Sequence, residues 1–219
     1  MGEKISSALR GFGPAGLLAL AVILAASAYA TILGAVLVLA WVSWSRTPWR
    51  DLGFAPPASW IRTLAAGVVF GAAFKLLMKA LVMPLFGAPA INPAYHYLAG
   101  NTAALPGILA AVIIGAGFAE ETVYRGYSFE RLGKLLGRGA AAKAAMVLLT
   151  SALFAAAHYP DQGLAGAEQA AITGLTFGGI FAASGRIWLP MVAHAAFDVT
   201  AVAIIYWDIE SAVAHLVFR

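Results

Sequence analysis

Six segments of the chain, residues 15–42, 61–83, 105–128, 141–158, 168–184 and 187–207, are apolar almost throughout. A helix needs about 20 apolar residues to cross a bilayer. In lipid every backbone polar group must find its partner inside the protein, so only helices or closed barrels span. Runs this long fit helices rather than the roughly 10-residue strands of a barrel. Only 11% of the residues are charged and 62% are hydrophobic, whereas a soluble domain carries about 25% charged residues. A soluble fold of this size could not hide that much apolar surface. The expected fold is an all-α, polytopic bundle of about six spans. With no internal repeat visible, it is expected to form one structural domain.

The first segment is ambiguous. Residues 15–42 are long for one crossing and short for two, so a tilted or bent span is expected. Residues 1–30 also mimic a secretory signal, with Lys4 and Arg10 ahead of an apolar run and Ala28-Tyr29-Ala30 as a cleavage-like site. The run continues through Ile32 to Val42, which favours a retained span.

Charge sets the expected orientation. Arg46, Arg50 and Arg62 occupy one loop, Arg131, Lys134, Arg138 and Lys143 a second, and Arg186 a third. The intervening loops, 84–104 and 159–167, contain no Lys or Arg. This alternation places the basic loops in the cytoplasm. It accounts for the net charge of +4 by topology, with lipid as the partner and no nucleic acid. Six simple crossings would leave Lys4 and Arg10 outside, against the same rule. The absence of cysteine excludes disulfides, thiolate nucleophiles and Cys-ligated zinc.

Ionisable residues inside spans cost several kcal/mol, roughly 2.5–3.5 each on insertion scales, unless paired or hydrated. They concentrate in three clusters. In Glu120-Glu121-Thr122-Val123-Tyr124-Arg125, Glu121 and Arg125 share a helical face, and Glu120 lacks a local partner. His158 follows Phe154-Ala155-Ala156-Ala157, where small side chains leave space beside it. His194 and Asp198 are again four apart and form an oriented pair or two ligands of a metal. Separately, these read as helix-end charges, an interfacial histidine and a helix–helix contact. Together, an unpaired glutamate and two histidines on three spans form a water-activating set. The same three, Glu120, His158 and His194, would be the ligands if one divalent metal such as zinc were held; the alternative is no cofactor.

The ordered set Glu120-Glu121-x-x-x-Arg125, Phe154-x-x-x-His158 and His194-x-x-x-Asp198 resembles the CAAX-protease and bacteriocin-processing (Abi) family of intramembrane peptidases. Arg50-Asp51-Leu52-Gly53 and Trp188-Leu189-Pro190 are similar to it as well. The resemblance covers a catalytic core at 105–207, with 1–104 as loosely matching membrane spans. It implies an endopeptidase acting on a membrane-associated protein or peptide; the high alanine and glycine content points to a bacterial source, and so to an inner membrane. The resemblance also implies Glu120 as general base, His158 holding the water, Glu121 and Arg125 in support, and His194 and Asp198 near the substrate carbonyl. Asp198 stands where the family also uses Asn, and an ionised Asp cannot donate a hydrogen bond to an oxyanion. Two other function classes fit the same residues: a carboxylate-dependent transporter, and a non-catalytic scaffold or immunity protein.

Lys75 and Lys79 share a face of the second span; they snorkel, line a wet cavity, or attract a substrate carboxylate. His96 and His215 are expected to face solvent. Trp41, Trp44, Trp49 and Trp60 are expected at the membrane boundaries. Gly67-x-x-x-Gly71 and Gly174-x-x-x-Gly178 are expected to let helices approach closely. A single cysteine at position 138, in this cysteine-free chain, should react with a membrane-impermeant maleimide only from the cytoplasmic side. One at position 162 should react only from the opposite side.

Overall fold

A computed structural model describes residues 2–218, and all its regular elements are helices. They are α1 (Gly2–Arg10), α2 (Pro14–Tyr29), α3 (Thr31–Ser45), α4 (Trp60–Leu85), α5 (Thr102–Leu136), a helical stretch Ala140–Ser184, then Trp188–Tyr206 and Glu210–Ala214. Four of these are long and apolar enough to cross a membrane: α4, α5, Ala140–Ser184 and Trp188–Tyr206.

The 45-residue stretch doubles back. Gly163 has φ 64° and ψ −162°, a conformation open to glycine because it has no Cβ. Gly174 then lies against Ser151, and Gly178 beside Val147. A straight helix would hold Gly174 and Ser151 roughly 35 Å apart. The stretch is therefore two antiparallel helices, α6 (140–162) and α7 (164–184). These are the expected spans at 141–158 and 168–184, lengthened at the turn. Pro160 does not end its span; it sits in the last turn before the reversal. Trp188–Tyr206 is α8 and Glu210–Ala214 is α9.

The first apolar segment corrects the expectation of one long span. Ala30 is extended, at φ −155° and ψ 108°, and interrupts the helix. Ser27 packs against Gly34, while Ile23, Ala35 and Val38 share one buried cluster. The two helices α2 and α3 thus form a hairpin whose ends lie together. At those ends the Trp41 indole donates to Leu9 O at 3.1 Å, and Ser6 Oγ donates to Trp44 O at 3.0 Å. Arg131, near the end of α5, donates to Arg10 O at 2.8 Å and Gly11 O at 2.6 Å. Lys4 and Arg10 therefore belong to the same end of the bundle as Arg46 and Arg131. A hairpin that enters and leaves on one side, followed by the five helices α4–α8, removes the conflict over the N-terminal charges. Trp41 is also not an interfacial anchor. It is buried and stacks edge-on against Tyr127 at 5.0 Å, whereas Trp44, Trp49 and Trp60 are exposed.

The middle of the bundle is α8. Of its span 44% is buried, against 11–22% for the other three long helical stretches, so it has protein on most sides. Small residues let its neighbours close in. A Cβ at Gly67 would strike Val192, one at Gly71 would fall on the Ala193 carbonyl, and one at Gly117 would strike Ala195. Without a hydrophobic drive between helices in lipid, this close packing is what holds them. Gly71→Val should therefore destabilise the protein by about 1–3 kcal/mol or more, as overpacking does. Thermal unfolding in detergent would show it. Gly107→Ala, at a position with open space around it, should leave the unfolding temperature unchanged or higher.

Candidate active site

Helices α5, α6 and α8 bring the three polar clusters together. The helix carrying Glu120 continues to Leu136. It is not a regular α-helix, however. Wide, π-type turns run over Ala111–Glu120 and Thr122–Tyr127, on either side of Glu121. Such turns concentrate at functional sites, and nothing in the 3.6-residue pattern signals them.

The centre of the cluster is Glu121. Its Oε1 accepts from Arg125 NH1 at 2.8 Å and from His194 Nδ1 at 2.8 Å. All three side chains are buried, at 0%, 1% and 4% exposure. Arg125 NH2 also donates to Gly174 O at 3.3 Å, which ties α5 to α7. Phe154 and Phe177 wall in this group. The guanidinium carbon lies 4.9 Å and 6.0 Å from their ring centroids, and the His194 ring 5.8 Å and 5.1 Å. The expected Glu121–Arg125 pair is present. Its further bond to His194 is not predictable from spacing, because it joins two helices far apart in sequence. Phe177 escapes sequence reasoning for the same reason.

That bond fixes the orientation of His194. With Nδ1–H given to Glu121, Nε2 points at Glu120 Oε2, 3.7 Å away, and at Asp198 Oδ2, 3.5 Å away. Glu120 is thus not without a neighbour. Its Oε2 still makes no hydrogen bond among the described residues. His158 is half-buried, and its Nδ1 donates to Phe154 O at 2.8 Å, which leaves Nε2 as the free ring nitrogen. Phe154 in the F-x-x-x-H pattern thus has two tasks: its carbonyl orients the histidine and its ring covers Arg125.

Glu120, His158, His194 and Asp198 all line one cavity of about 520 Å³. Its other walls come from the tip of the α2–α3 hairpin, from α4, and from the 86–101 loop. Glu210 in α9 fastens that loop. It accepts from Lys79 Nζ at 3.2 Å and from the Asn92 N–H at 2.9 Å, and lies 3.3 Å from His96 Nδ1. His96 is therefore half-exposed and paired rather than simply solvent-facing. His215 is exposed, beside Ser211.

Among the described residues no three His, Asp or Glu side chains gather to hold one ion.

Removing one partner of a buried ion pair leaves an uncompensated charge and costs about 3–5 kcal/mol. Arg125→Ala should therefore lower the unfolding temperature sharply and reduce the yield of folded protein. The double variant Arg125→Met with Glu121→Leu should recover part of that loss.

Residues 102–200 match the family described as Type II CAAX prenyl endopeptidase Rce1-like. No curated protein and no solved structure matches the chain. The matched segment begins with α5, ends just beyond Asp198, and includes Glu120, Glu121, Arg125, His158, His194 and Asp198. Over that segment the chain is similar to the CAAX-protease and bacteriocin-processing family of intramembrane proteases.

Proposed function

We propose that this chain is an endopeptidase that hydrolyses a peptide bond of a membrane-associated protein or peptide, with Glu120 as the general base. The observation that carries this reading is the surround of Glu120. Glu120 lines the cavity, and its buried Oε2 has no hydrogen bond among the described residues and lies beside an imidazole that a second glutamate holds.

Water enters the cavity and gives one O–H to Glu120 and the other to His158 Nε2. Both are acceptors, since His158 commits its Nδ1–H to the Phe154 carbonyl. The remaining lone pair of the water then meets the scissile carbonyl carbon, and Glu120 takes the proton as the C–O bond forms. Both ring nitrogens of His194 face carboxylate oxygens. A ring protonated at both nitrogens shares its single Nε2–H between Asp198 Oδ2 and the developing oxyanion. The tetrahedral intermediate collapses when Glu120 returns its proton to the leaving amine. Asp198 serves on this reading as an acceptor that aims His194, the part an Asp can play where an Asn would donate. Glu121 and Arg125 hold the base of the site.

Residues 105–207 carry this chemistry, and residues 1–104 complete the cavity within the same domain. The basic end of the bundle, with Lys4, Arg10, Arg46 and Arg138, faces the cytoplasm of a bacterial inner membrane. Substrates are those the family's description names, proteins ending in a prenylated CAAX motif, or other peptides that reach the cavity from lipid.

Glu120→Gln should lower kcat on a cleavable peptide by about 10²–10⁴-fold, the usual contribution of a general base, with an unchanged unfolding temperature. Full activity in a well-folded Glu120→Gln protein would sink the assignment.

A further inference from the structure

The two lysines of α4 point into the same cavity but differ in what they meet. Lys79 is neutralised by Glu210 at 3.2 Å and also donates to Ala90 O. Lys75, one turn nearer the catalytic residues, is 8% exposed and forms no ion pair among the described residues. Its ammonium has three donors. One reaches Gln169 Oε1 at 3.0 Å, and the charge lies 4.7 Å from the centre of the Phe197 ring. Both contacts are neutral. An ammonium buried without a direct ion pair is costly; the carboxylates of Asp198 and Glu210 act on this one only from beyond contact distance, and it lines the cavity that holds Glu120, His158 and His194.

Packing explains its position. Gly71 lies against Ala193 and Ala196 of α8. One turn further along α4, Lys75 meets Phe197, the residue next to Asp198. Gln169 on α7 lines the same cavity, and its side-chain NH₂ forms no hydrogen bond among the described residues.

We propose that Lys75, with Gln169, is a carboxylate-anchoring subsite that fixes the substrate beside the catalytic residues; the proposal rests on the peptidase reading above. The ammonium and the Gln169 amide N–H would each donate to one oxygen of the same carboxylate. That carboxylate comes from a chain end or from an acidic side chain. Lys75 is a specificity residue and not part of the bond-breaking step.

The full-length protein in detergent should be tested with four fluorescent peptides that share one CAAX-type sequence. Two differ only in a free-acid or amidated C-terminus. The other two are amidated and carry Glu or Gln at the last position. Binding is read by anisotropy, and cleavage is followed in parallel. A charge-assisted hydrogen bond is worth about 10–100-fold in affinity. The wild type should therefore prefer the free acid, the Glu peptide, or both, by that factor. Preference for the free acid assigns the chain end as the source, and preference for Glu assigns the side chain. Lys75→Met should bring the ratio to about 1, Lys75→Arg should keep it above 1, and Gln169→Leu should reduce it. Equal binding within both pairs by the wild type overturns the proposal, whatever the folding of the variants. A ratio that persists in Lys75→Met also overturns it. Selective binding without cleavage of any peptide would refute the peptidase reading and leave the anchor standing. Cleavage with equal kcat/KM within both pairs would do the reverse.

Discussion

One carboxylate organises the interior of this bundle. Glu121 is fully buried and accepts from Arg125 on its own helix and from His194 on α8. In a low-dielectric interior such charges persist only when they are paired and hydrogen-bonded. The cost of separating them is therefore what fixes α5 against α8. The same bond turns His194 so that Nε2 faces Glu120 and Asp198. Stability and chemistry meet in that imidazole: one nitrogen holds the structure together, and the other faces the cavity.

Two features of the sequence make that bond geometrically available. Glycines remove the side chains that would keep α4, α5 and α8 apart, at Gly67, Gly71 and Gly117. Phe154 and Phe177 then exclude lipid and water from the Arg125 side of the group. The result is a site with a dry floor and an open face. Glu121 and Arg125 form the floor. Glu120, His158 and Asp198 look into the cavity, together with the ammonium of Lys75, which has no direct ion pair among the described residues.

Much of this is legible in the order of the residues. Each ionisable side chain in an apolar span stands out because lipid makes it expensive. Glu120, Glu121, Arg125, His158, His194 and Asp198 can thus be singled out by position alone. The i,i+4 spacing yields the Glu121–Arg125 and His194–Asp198 pairings, since helical neighbours follow from local geometry. The glycine pairs at 67 and 71 and at 174 and 178 announce close helix contacts. Inference from pattern fails where the chain departs from a regular helix without a breaker residue. Ala30 is extended although alanine favours helix. Pro160 is tolerated because it falls in a last turn, and Gly163 rather than the proline makes the reversal. The π-type turns flanking Glu121 leave the apolar pattern unchanged.

Hydrophobicity and helical spacing are local properties, and the sequence alone determined what depends on them. It set the membrane as solvent, helices as the elements, the polar residues that need partners, and the partners within one turn. Contacts between helices depend on three-dimensional packing, and only the tertiary structure decided those. It joined His194 to Glu121, folded residues 15–42 into a hairpin, buried Trp41 against Tyr127, and paired Lys79 with Glu210. In each case the partner lies on another helix, at a distance in sequence that no period of 3.6 encodes.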